Sequence, residues 1–591
     1  MKAASPPPLP HPARAASPDS PPPSAPARRW GLWLLVGWLV QAGIRVALAA
    51  GQTIPVANPD ETGYLFAARL LTGGPAADIS HSTPYRGGYP LLLLPAFWLA
   101  DDPVTVYRIV MVINALVGAL LLVALFVLLR RLGLSGPWAY GAAHAVALLP
   151  AAVFFTQYAL TDAILPVVLL GWLLLTHSWL TADPGSAGPV RVALHGAGAG
   201  LLAGYAYATH SRGTVVLAVH LVLVLVAVVA RWRPWWSAAV GAAAAGGVAL
   251  AGGALNGWIW PRLYPRGSYE MGAMLLERIT TPSGYGWTIP VGLGQIWYLV
   301  VGTWGLAGIG LAAVLGVAVR RGAAPQVRAL ACAVLATVAG IAFATAAALP
   351  DEQRIANHAY GRYLACLAPT LVAVGVAVLL TAARRTVAAA GAATAAVTAA
   401  LAVLIEWRAG GKFAGYVHFP FDFPETGFLT WTWDGFHLWA ATLAGLALLG
   451  LAIAAALRGR RGAVALVCGL LVVDLAASAA AAWNISRPFV RQMAAAADLS
   501  GSIGPAGSRP RVAVDGAIEW KIWVIQLYLV SWEEVTFFDV RQGPPAEAEL
   551  VLFRWEPGTP AERTWPGGAP PGWRVVDSRR TVEGDWVAWR R

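Results

Sequence analysis

The stretch RRWGLWLLVGWLVQAGIRVALAAGQTIPVANPDETGYLFAARLLTGG, residues 28–74, decides the fold class. Arg28 and Arg29 precede an apolar run over about 30–50, which is long enough to cross a bilayer as a helix. Arginines placed before a first span hold the N-terminus in the cytoplasm. The acidic pair Asp60–Glu61 follows soon after that run. The stretch therefore predicts a membrane protein with ionisable groups close to its outer surface.

The rest of the chain continues the apolar pattern. Of its 591 residues, 58% are hydrophobic and only 12% are charged, whereas soluble domains carry about 25% charged residues. Apolar runs of the required length predict further spans, which must be helical where they face lipid. They lie near 106–129, 138–155, 159–180, 194–209, 213–230, 235–256, 296–319, 327–349, 359–382, 386–406, 436–457 and 462–483. We therefore expect an α-helical polytopic membrane protein with about thirteen transmembrane helices.

The placement of the basic residues explains the net charge of +12. With the N-terminus inside, every second connection between spans is cytoplasmic, and these connections carry most of the arginine pairs. Such a distribution is the positive-inside pattern of a plasma-membrane protein and argues against a nucleic-acid partner. The pairs and single arginines concerned are Arg130–Arg131, Arg191, Arg231, Arg233, Arg320–Arg321, Arg384–Arg385, Arg458 and Arg460–Arg461.

Composition divides the chain into three parts. Residues 1–27 are rich in Pro, Ala and Ser and predict a disordered cytoplasmic tail. Residues 28–485 form the membrane domain, and 486–591 read as a small α/β domain, which an odd number of spans places outside the cytoplasm. Its predicted elements are strands at 511–516, 535–540, 549–555, 573–578 and 585–591 and a helix at 517–530. Three outer loops, 51–105, 257–295 and 407–435, are long enough to carry function.

Three carboxylates are candidate catalytic groups. Asp60 and Glu61 are adjacent at the membrane surface, and Asp162 lies at the outer end of the fourth span. Partial desolvation raises the pKa of a carboxyl group and suits it to accept a proton. Ionisable groups at membrane depth are also functional candidates by default. The alternative is helix capping by Asp60 and by Asp162.

Basic and aromatic residues on the same outer side are candidate substrate-binding groups. An arginine outside the cytoplasm breaks the charge trend, and a phosphate at headgroup level would account for it. The alternatives are ion pairs with Asp162, Asp351 or Glu352, simple neutralisation of a carboxylate by Arg69, and interface anchoring by the Tyr85–Arg86 pair. The candidates are Tyr64, Arg69, Tyr85, Arg86, His210, Arg212, Arg354, His358, Tyr360, Arg362 and Tyr363.

The order and sidedness of these motifs resemble a known family. The pieces that carry the likeness are PDETGYLFAARLL, YRGGYPLLLLPAFWL, YALTDAILP, HSRGTVVL and HAYGRYLACLAP. Together they resemble the GT-C superfamily of membrane glycosyltransferases, most closely the branch of protein O-mannosyltransferases and aminoarabinose transferases. The resemblance covers roughly residues 30–380. It is weak over the last four spans, and no family motif occurs in the C-terminal domain.

The resemblance implies inverting transfer of a sugar from a polyprenyl-phosphate carrier to an acceptor hydroxyl, which an envelope glycan, lipid or protein could supply. Asp60 would then be the general base, with Glu61 and Asp162 orienting it or binding the acceptor. Arg212, Arg354 and Arg362 would bind the lipid phosphate and stabilise the leaving group. Family members differ over a divalent metal, so a metal is an option here and no cofactor is assigned.

Two other classes of function stay open at this point. A flippase for lipid-linked sugars is the first alternative, although transporters tend to show internal repeats and polar residues at the midplane. In this sequence no repeat is seen, and the polar residues gather at the outer rim. A catalytically inactive GT-C-like scaffold is the second.

Overall fold

The computed structural model describes residues 27–182, 188–269, 271–504, 510–530 and 535–591. Apart from its last residue, the tail predicted to be disordered at 1–27 lies outside the described residues.

The described chain is mostly helical. Apolar runs of 14 to 29 residues form long helices because, in lipid, every backbone amide has to find its partner within its own segment. The helices are α1 Ala27–Leu48, α2 Asp60–Leu71, α3 Pro90–Leu99, α4 Pro103–Arg131, α5 Gly136–Ala147, α6 Pro150–Val153, α7 Leu165–Thr181, α8 Pro189–Thr209, α9 Gly213–Val229, α10 Trp235–Leu263, α11 Met271–Thr280, α12 Pro282–Val301, α13 Leu306–Val319, α14 Pro325–Ala348, α15 Arg362–Ala365, α16 Ala368–Thr381, α17 Arg384–Ala409, α18 Pro424–Thr430, α19 Leu438–Ala456, α20 Gly459–Ala481, α21 Arg487–Ala497, α22 Ser500–Ile503 and α23 Trp520–Leu529.

Every predicted span coincides with one of these helices or with a pair of them. Within the described ranges, seven helices are long and apolar enough to cross a membrane, and nine spans result if each of two bent pairs counts as one. Shorter apolar helices such as α7, α9 and α16 lie among them. The protein is therefore a multi-pass membrane protein, while the predicted number of about thirteen spans stays a prediction.

The two bent pairs depart from the straight helices that the sequence predicted. Helix α5 meets the helical segment Pro150–Gln157, which begins with α6, at 72°, and Pro150 opens that segment. Helices α12 and α13 meet at 113°, across a turn in which Gly305 has a φ of +79°. The span predicted at 296–319 is thus two helices, the first of which begins at Pro282.

The C-terminal domain contains the predicted elements. Its five strands form one sheet in the order β2-β1-β3-β5-β4, in which β1 pairs in parallel with β2 and β3, and the last two strands are antiparallel. Strands β1 and β3 at the middle of the sheet are almost wholly buried, whereas β4 at its edge has no buried residue. The strands are β1 Val512–Asp515, β2 Val535–Phe538, β3 Leu550–Arg554, β4 Arg574–Thr581 and β5 Gly584–Arg590.

The C-terminal domain is joined to the membrane domain by continuous helix and by side-chain contacts. Helix α20 runs through a single π-turn, Ala482–Ser486, into α21, so the helix continues beyond the boundary predicted at 485. The Tyr528 hydroxyl of α23 donates to the carbonyl of Pro103 at the start of α4, at 2.7 Å. The two domains therefore meet where loop 51–105 ends and α4 begins.

Candidate active site at the outer rim

Arg362 joins two of the predicted carboxylates. Its Nη1 atom lies 2.6 Å from Asp60 Oδ2. Its Nε and Nη2 atoms both donate to Asp162 Oδ2, each at 3.2 Å. The other oxygen of Asp162 accepts from Arg212 Nη2 at 2.8 Å. The result is a four-membered ion-pair cluster of two carboxylates and two guanidinium groups, called the rim cluster below. Arg212 and Arg362 each form an ion pair with Asp162, one of the partners that the sequence offered as an alternative.

Burial differs sharply between the two carboxylates of the rim cluster. The Asp162 side chain is 2% exposed, whereas that of Asp60 is 30% exposed. Burial alone would raise the pKa of Asp162, but Arg212 and Arg362 together hold it well below its ordinary value. Asp162 is therefore an ionised carboxylate that fixes the two arginines, and Asp60 is the more exposed carboxylate of the cluster.

Local backbone geometry brings the two arginines into place. Arg212 precedes Gly213, where a Cβ atom would meet the Ala206 carbonyl at 1.9 Å. Arg362 follows Gly361, where a Cβ atom would meet the Tyr298 ring at 2.1 Å. Only glycine permits such close approaches. Arg212 therefore stands just before α9 and Arg362 opens α15, and each lies where its backbone is pressed against a neighbouring segment and its side chain reaches Asp162.

Neither predicted carboxylate caps a helix through its side chain. Asp60 opens α2 and Asp162 lies in the 3₁₀ turn Thr161–Ala163, but both side chains turn to the rim cluster. The second oxygen of Asp60 accepts from the Tyr85 hydroxyl at 2.7 Å. Burial and the Asp60 charge raise the pKa of Tyr85 well above 10, so this hydroxyl stays a donor. The Tyr64 ring packs 5.0 Å from that of Tyr85 and holds it there.

Glu61 points away from the rim cluster and is completely buried. One carboxylate oxygen accepts from the amides of Val56 and Ala57, at 2.7 and 2.8 Å. The other accepts from the Ala159 amide at 2.7 Å and from the Tyr107 hydroxyl. Burial raises the pKa of Glu61, and these four donors oppose that rise. Glu61 thereby ties the segment before Asp60 to the segment before Asp162.

A second basic corner adjoins the rim cluster at the end of α8. Arg86 donates to the Tyr207 carbonyl at 2.5 Å and to the Thr214 hydroxyl at 3.1 Å. His210 Nδ1 accepts from the backbone amide and Nε of Arg212, and burial together with Arg212 lowers the pKa of His210 well below 6.5. Unlike the two arginines of the rim cluster, Arg86 has no carboxylate partner within 4 Å among the residues that the structure describes.

The remaining predicted residues divide between the site and its surroundings. The Tyr363 ring lies 5.7 Å from the Arg212 guanidinium, and the Tyr360 ring packs 4.6 Å from that of Tyr363. Arg354 is at the rim, paired with Glu352 at 2.8 Å and stacked on Phe419. Two predicted residues lie elsewhere: His358 is near Arg408, and Arg69 donates to the Leu527 carbonyl of the C-terminal domain.

The third outer loop contributes residues that the sequence did not assign to the site. Phe421 packs between Phe155 and Tyr158, at ring distances of 5.7 and 5.0 Å, and lies 5.7 Å from the Arg362 guanidinium. It brings Asp422 and Glu425 to the inner side of Arg362, where all three line one pocket. The available signal was the length of loop 407–435 and its motif PFDFPE at 420–425.

The architecture matches solved structures along nearly its whole length. ArnT from Cupriavidus metallidurans bound to undecaprenyl phosphate superposes with a TM-score of 0.56 at 16% identity, over 95% of this chain and 98% of that one. The chain has the GT-C fold. The same ArnT in the apo state gives a TM-score of 0.52 at 15% identity over the same shares. No protein-family model and no curated protein matches the chain at a significant level.

The GT-C fold that the sequence motifs suggested is therefore confirmed. Identities of 15–16% establish this fold and not the roles of individual residues. A metal site was left as an option by the sequence. Among the described residues, no group of three or more His, Cys, Asp or Glu side chains is placed to hold a metal ion.

Proposed function

We propose that the protein is a glycosyltransferase that moves a sugar from a polyprenyl-phosphate carrier to an acceptor hydroxyl at the outer face of the membrane. The observation that carries the proposal is the rim cluster, in which Asp60 is the accessible carboxylate and is held in place by Arg362 and Tyr85. The GT-C fold supports the choice of reaction, and the undecaprenyl phosphate bound to the ArnT neighbour supports the choice of carrier.

In the proposed reaction Asp60 accepts the proton of the acceptor hydroxyl. The acceptor oxygen forms a bond to the anomeric carbon while the bond from that carbon to the phosphate oxygen breaks, and the electron pair stays on the phosphate. One displacement inverts the configuration at carbon. Asp60 then releases its proton to solvent, which its 30% exposure permits.

The phosphate of the carrier belongs beside Arg86 and Arg212 in this proposal. Arg86 is the site arginine without a carboxylate partner in the described chain, so an anion placed there meets uncompensated charge. Fixed guanidinium groups stabilise the charge that develops on a departing phosphate. Arg362 contributes its charge from the other side while it orients Asp60.

The orientation predicted from the arginine distribution completes the proposal. With the N-terminus in the cytoplasm, the rim cluster and the C-terminal domain both face outward, where lipid-linked sugars meet acceptors of the cell envelope. The acceptor is an envelope glycan, lipid or protein that presents a hydroxyl group.

The decisive experiment compares wild-type protein with Asp60→Asn in nanodiscs, each supplied with radiolabelled polyprenyl-phosphate sugars and a membrane extract as acceptor. We expect transfer from the carrier to fall by roughly 10²- to 10⁴-fold in Asp60→Asn, the range typical of a lost general base. The matched control is Asp434→Asn, since Asp434 is an exposed carboxylate of the third outer loop. Equal turnover by wild type and Asp60→Asn would rule out Asp60 as the base.

A further inference from the structure

A narrow pocket lies on the inner side of Arg362. Its walls are formed by the end of α12, the start of α15, the segment that follows the α5–α6 bend and the third outer loop. The residues that line it include Phe155, Tyr298, Asp422 and Glu425. The space between them holds about one water-sized group. The pocket therefore accommodates a single substituent and not a whole sugar ring.

Asp422 presents a carboxylate to this pocket with its hydrogen-bonding capacity unused. Within the described part of the chain its side chain accepts no hydrogen bond and forms no ion pair within 4 Å, although its backbone amide bonds to Phe419. Burial raises the pKa of Asp422 to about 7, and Arg362 and Arg354 oppose that rise. A partly buried carboxylate that faces a pocket and accepts no hydrogen bond from the described chain is placed to accept one from a ligand.

Glu425 forms the floor of the same pocket. It is 4% exposed, and its Oε2 accepts from the Tyr298 hydroxyl at 2.8 Å. Because the Tyr298 hydroxyl already donates its hydrogen bond to Glu425, Tyr298 adds no free donor to the pocket. The side chains of Asp422 and Glu425 therefore offer hydrogen-bond acceptors, and the only cation that lines the pocket in the described chain is Arg362 at its mouth.

These features limit the chemistry of the occupant. A prenyl chain would offer the Asp422 carboxylate no hydrogen-bond donor in the pocket. A phosphate would stand beside two carboxylates and be repelled. A neutral group that donates hydrogen bonds satisfies the acceptors and fits the volume, and a sugar hydroxyl is such a group.

We propose that this pocket is a subsite for one hydroxyl-bearing substituent of the donor sugar, with Asp422 and Glu425 as its acceptors. The inference rests on the proposed transferase function, since that function places a carrier phosphate at the arginines and the attached sugar next to Arg362. Asp422 then determines which donor sugars bind and takes no part in the proton transfer at Asp60.

The test compares Asp422→Asn with wild type in nanodiscs, using undecaprenyl phosphate without a sugar and a panel of undecaprenyl-phosphate hexoses and pentoses as probes. We expect Asp422→Asn to weaken binding of the preferred sugar-bearing carrier by roughly 10- to 100-fold, the worth of a hydrogen bond to a charged acceptor. Binding of the sugar-free carrier stays within about twofold, because that probe has no group to place in the pocket. Asp434→Asn serves as the matched control.

Singly deoxygenated donors provide the second arm. Removing the hydroxyl that enters the pocket should weaken binding to wild type and leave binding to Asp422→Asn nearly unchanged, which is the signature of a direct pair in a double-mutant cycle. Equal weakening of sugar-free and sugar-bearing carriers, or no weakening of either, would overturn the subsite. If wild type itself bound neither carrier, the proposed transferase function would fail first and the subsite with it.

Discussion

Glu61→Gln separates a structural role for this buried carboxylate from a chemical one. The substitution keeps the size of the side chain and replaces one carboxylate oxygen with an amide NH₂ group. In the folded protein, one oxygen faces the Val56 and Ala57 amides, and the other faces the Ala159 amide and the Tyr107 hydroxyl. The NH₂ group must therefore face at least one backbone donor.

The cost follows from which pair of donors the NH₂ group meets. Facing Val56 and Ala57, it leaves two buried amides without an acceptor. Facing Tyr107 and Ala159, it leaves one, because the Tyr107 hydroxyl can turn and accept from the NH₂ group. The second orientation is preferred, and one unpaired buried amide costs about 1–3 kcal/mol.

The assay is unfolding by SDS titration in mixed micelles, followed by tryptophan fluorescence, together with the sugar-transfer assay. We expect Glu61→Gln to lose about 1–3 kcal/mol of stability and to retain transfer by the molecules that remain folded. Glu562→Gln, an exposed control, should change stability by less than about 0.5 kcal/mol. If Glu61→Gln left stability unchanged but abolished transfer, as Asp60→Asn is expected to do, a purely structural role for Glu61 would be refuted. Glu61 would then take part in the chemistry.

Three further predictions concern the phosphate site, the domain contact and a buried acid. Arg86→Gln should weaken binding of undecaprenyl phosphate about 10-fold, because a charge-assisted hydrogen bond is lost, and unchanged binding in nanodiscs would place the phosphate elsewhere. Tyr528→Phe removes the hydrogen bond to the Pro103 carbonyl and should cost about 0.5–1.5 kcal/mol, visible as faster amide exchange in α23; unaltered exchange would contradict the contact. Burial raises the pKa of Glu425 from 4.5 to about 7, so the folded state holds a proton that the unfolded state releases between those pH values. Wild-type stability should therefore fall relative to Glu425→Gln as the pH rises from about 5 to 8, and a constant difference in melting temperature would exclude this shift.

The helices and strands could be predicted because their signals are local. A run of apolar residues such as 106–129 becomes a helix wherever it meets lipid, so α4 begins and ends within three residues of the prediction. Strand β3, Leu550–Arg554, follows from its own apolar and β-branched residues. The bend between α12 and α13 was missed, since apolar content does not reveal the direction of a helix axis.

The candidate carboxylates and arginines could be named for a similar reason. Asp60, Asp162, Arg212 and Arg362 are ionisable groups beside apolar runs, where charge is costly, and this marks each one from its neighbours alone. Their order along the chain also sufficed to suggest the GT-C fold.

The contacts among these groups were decided by the tertiary structure. Arg362 lies 200 residues beyond Asp162 in sequence, yet it bridges Asp162 and Asp60. Glu61 stands next to Asp60 in the chain but turns inward, because four donors from three segments converge on it. Asp422 reaches the inner side of Arg362 only because Phe421 packs its loop against the α6 end. Electrostatic and hydrogen-bond energies depend on distance through space, and sequence spacing does not determine that distance for residues on different helices.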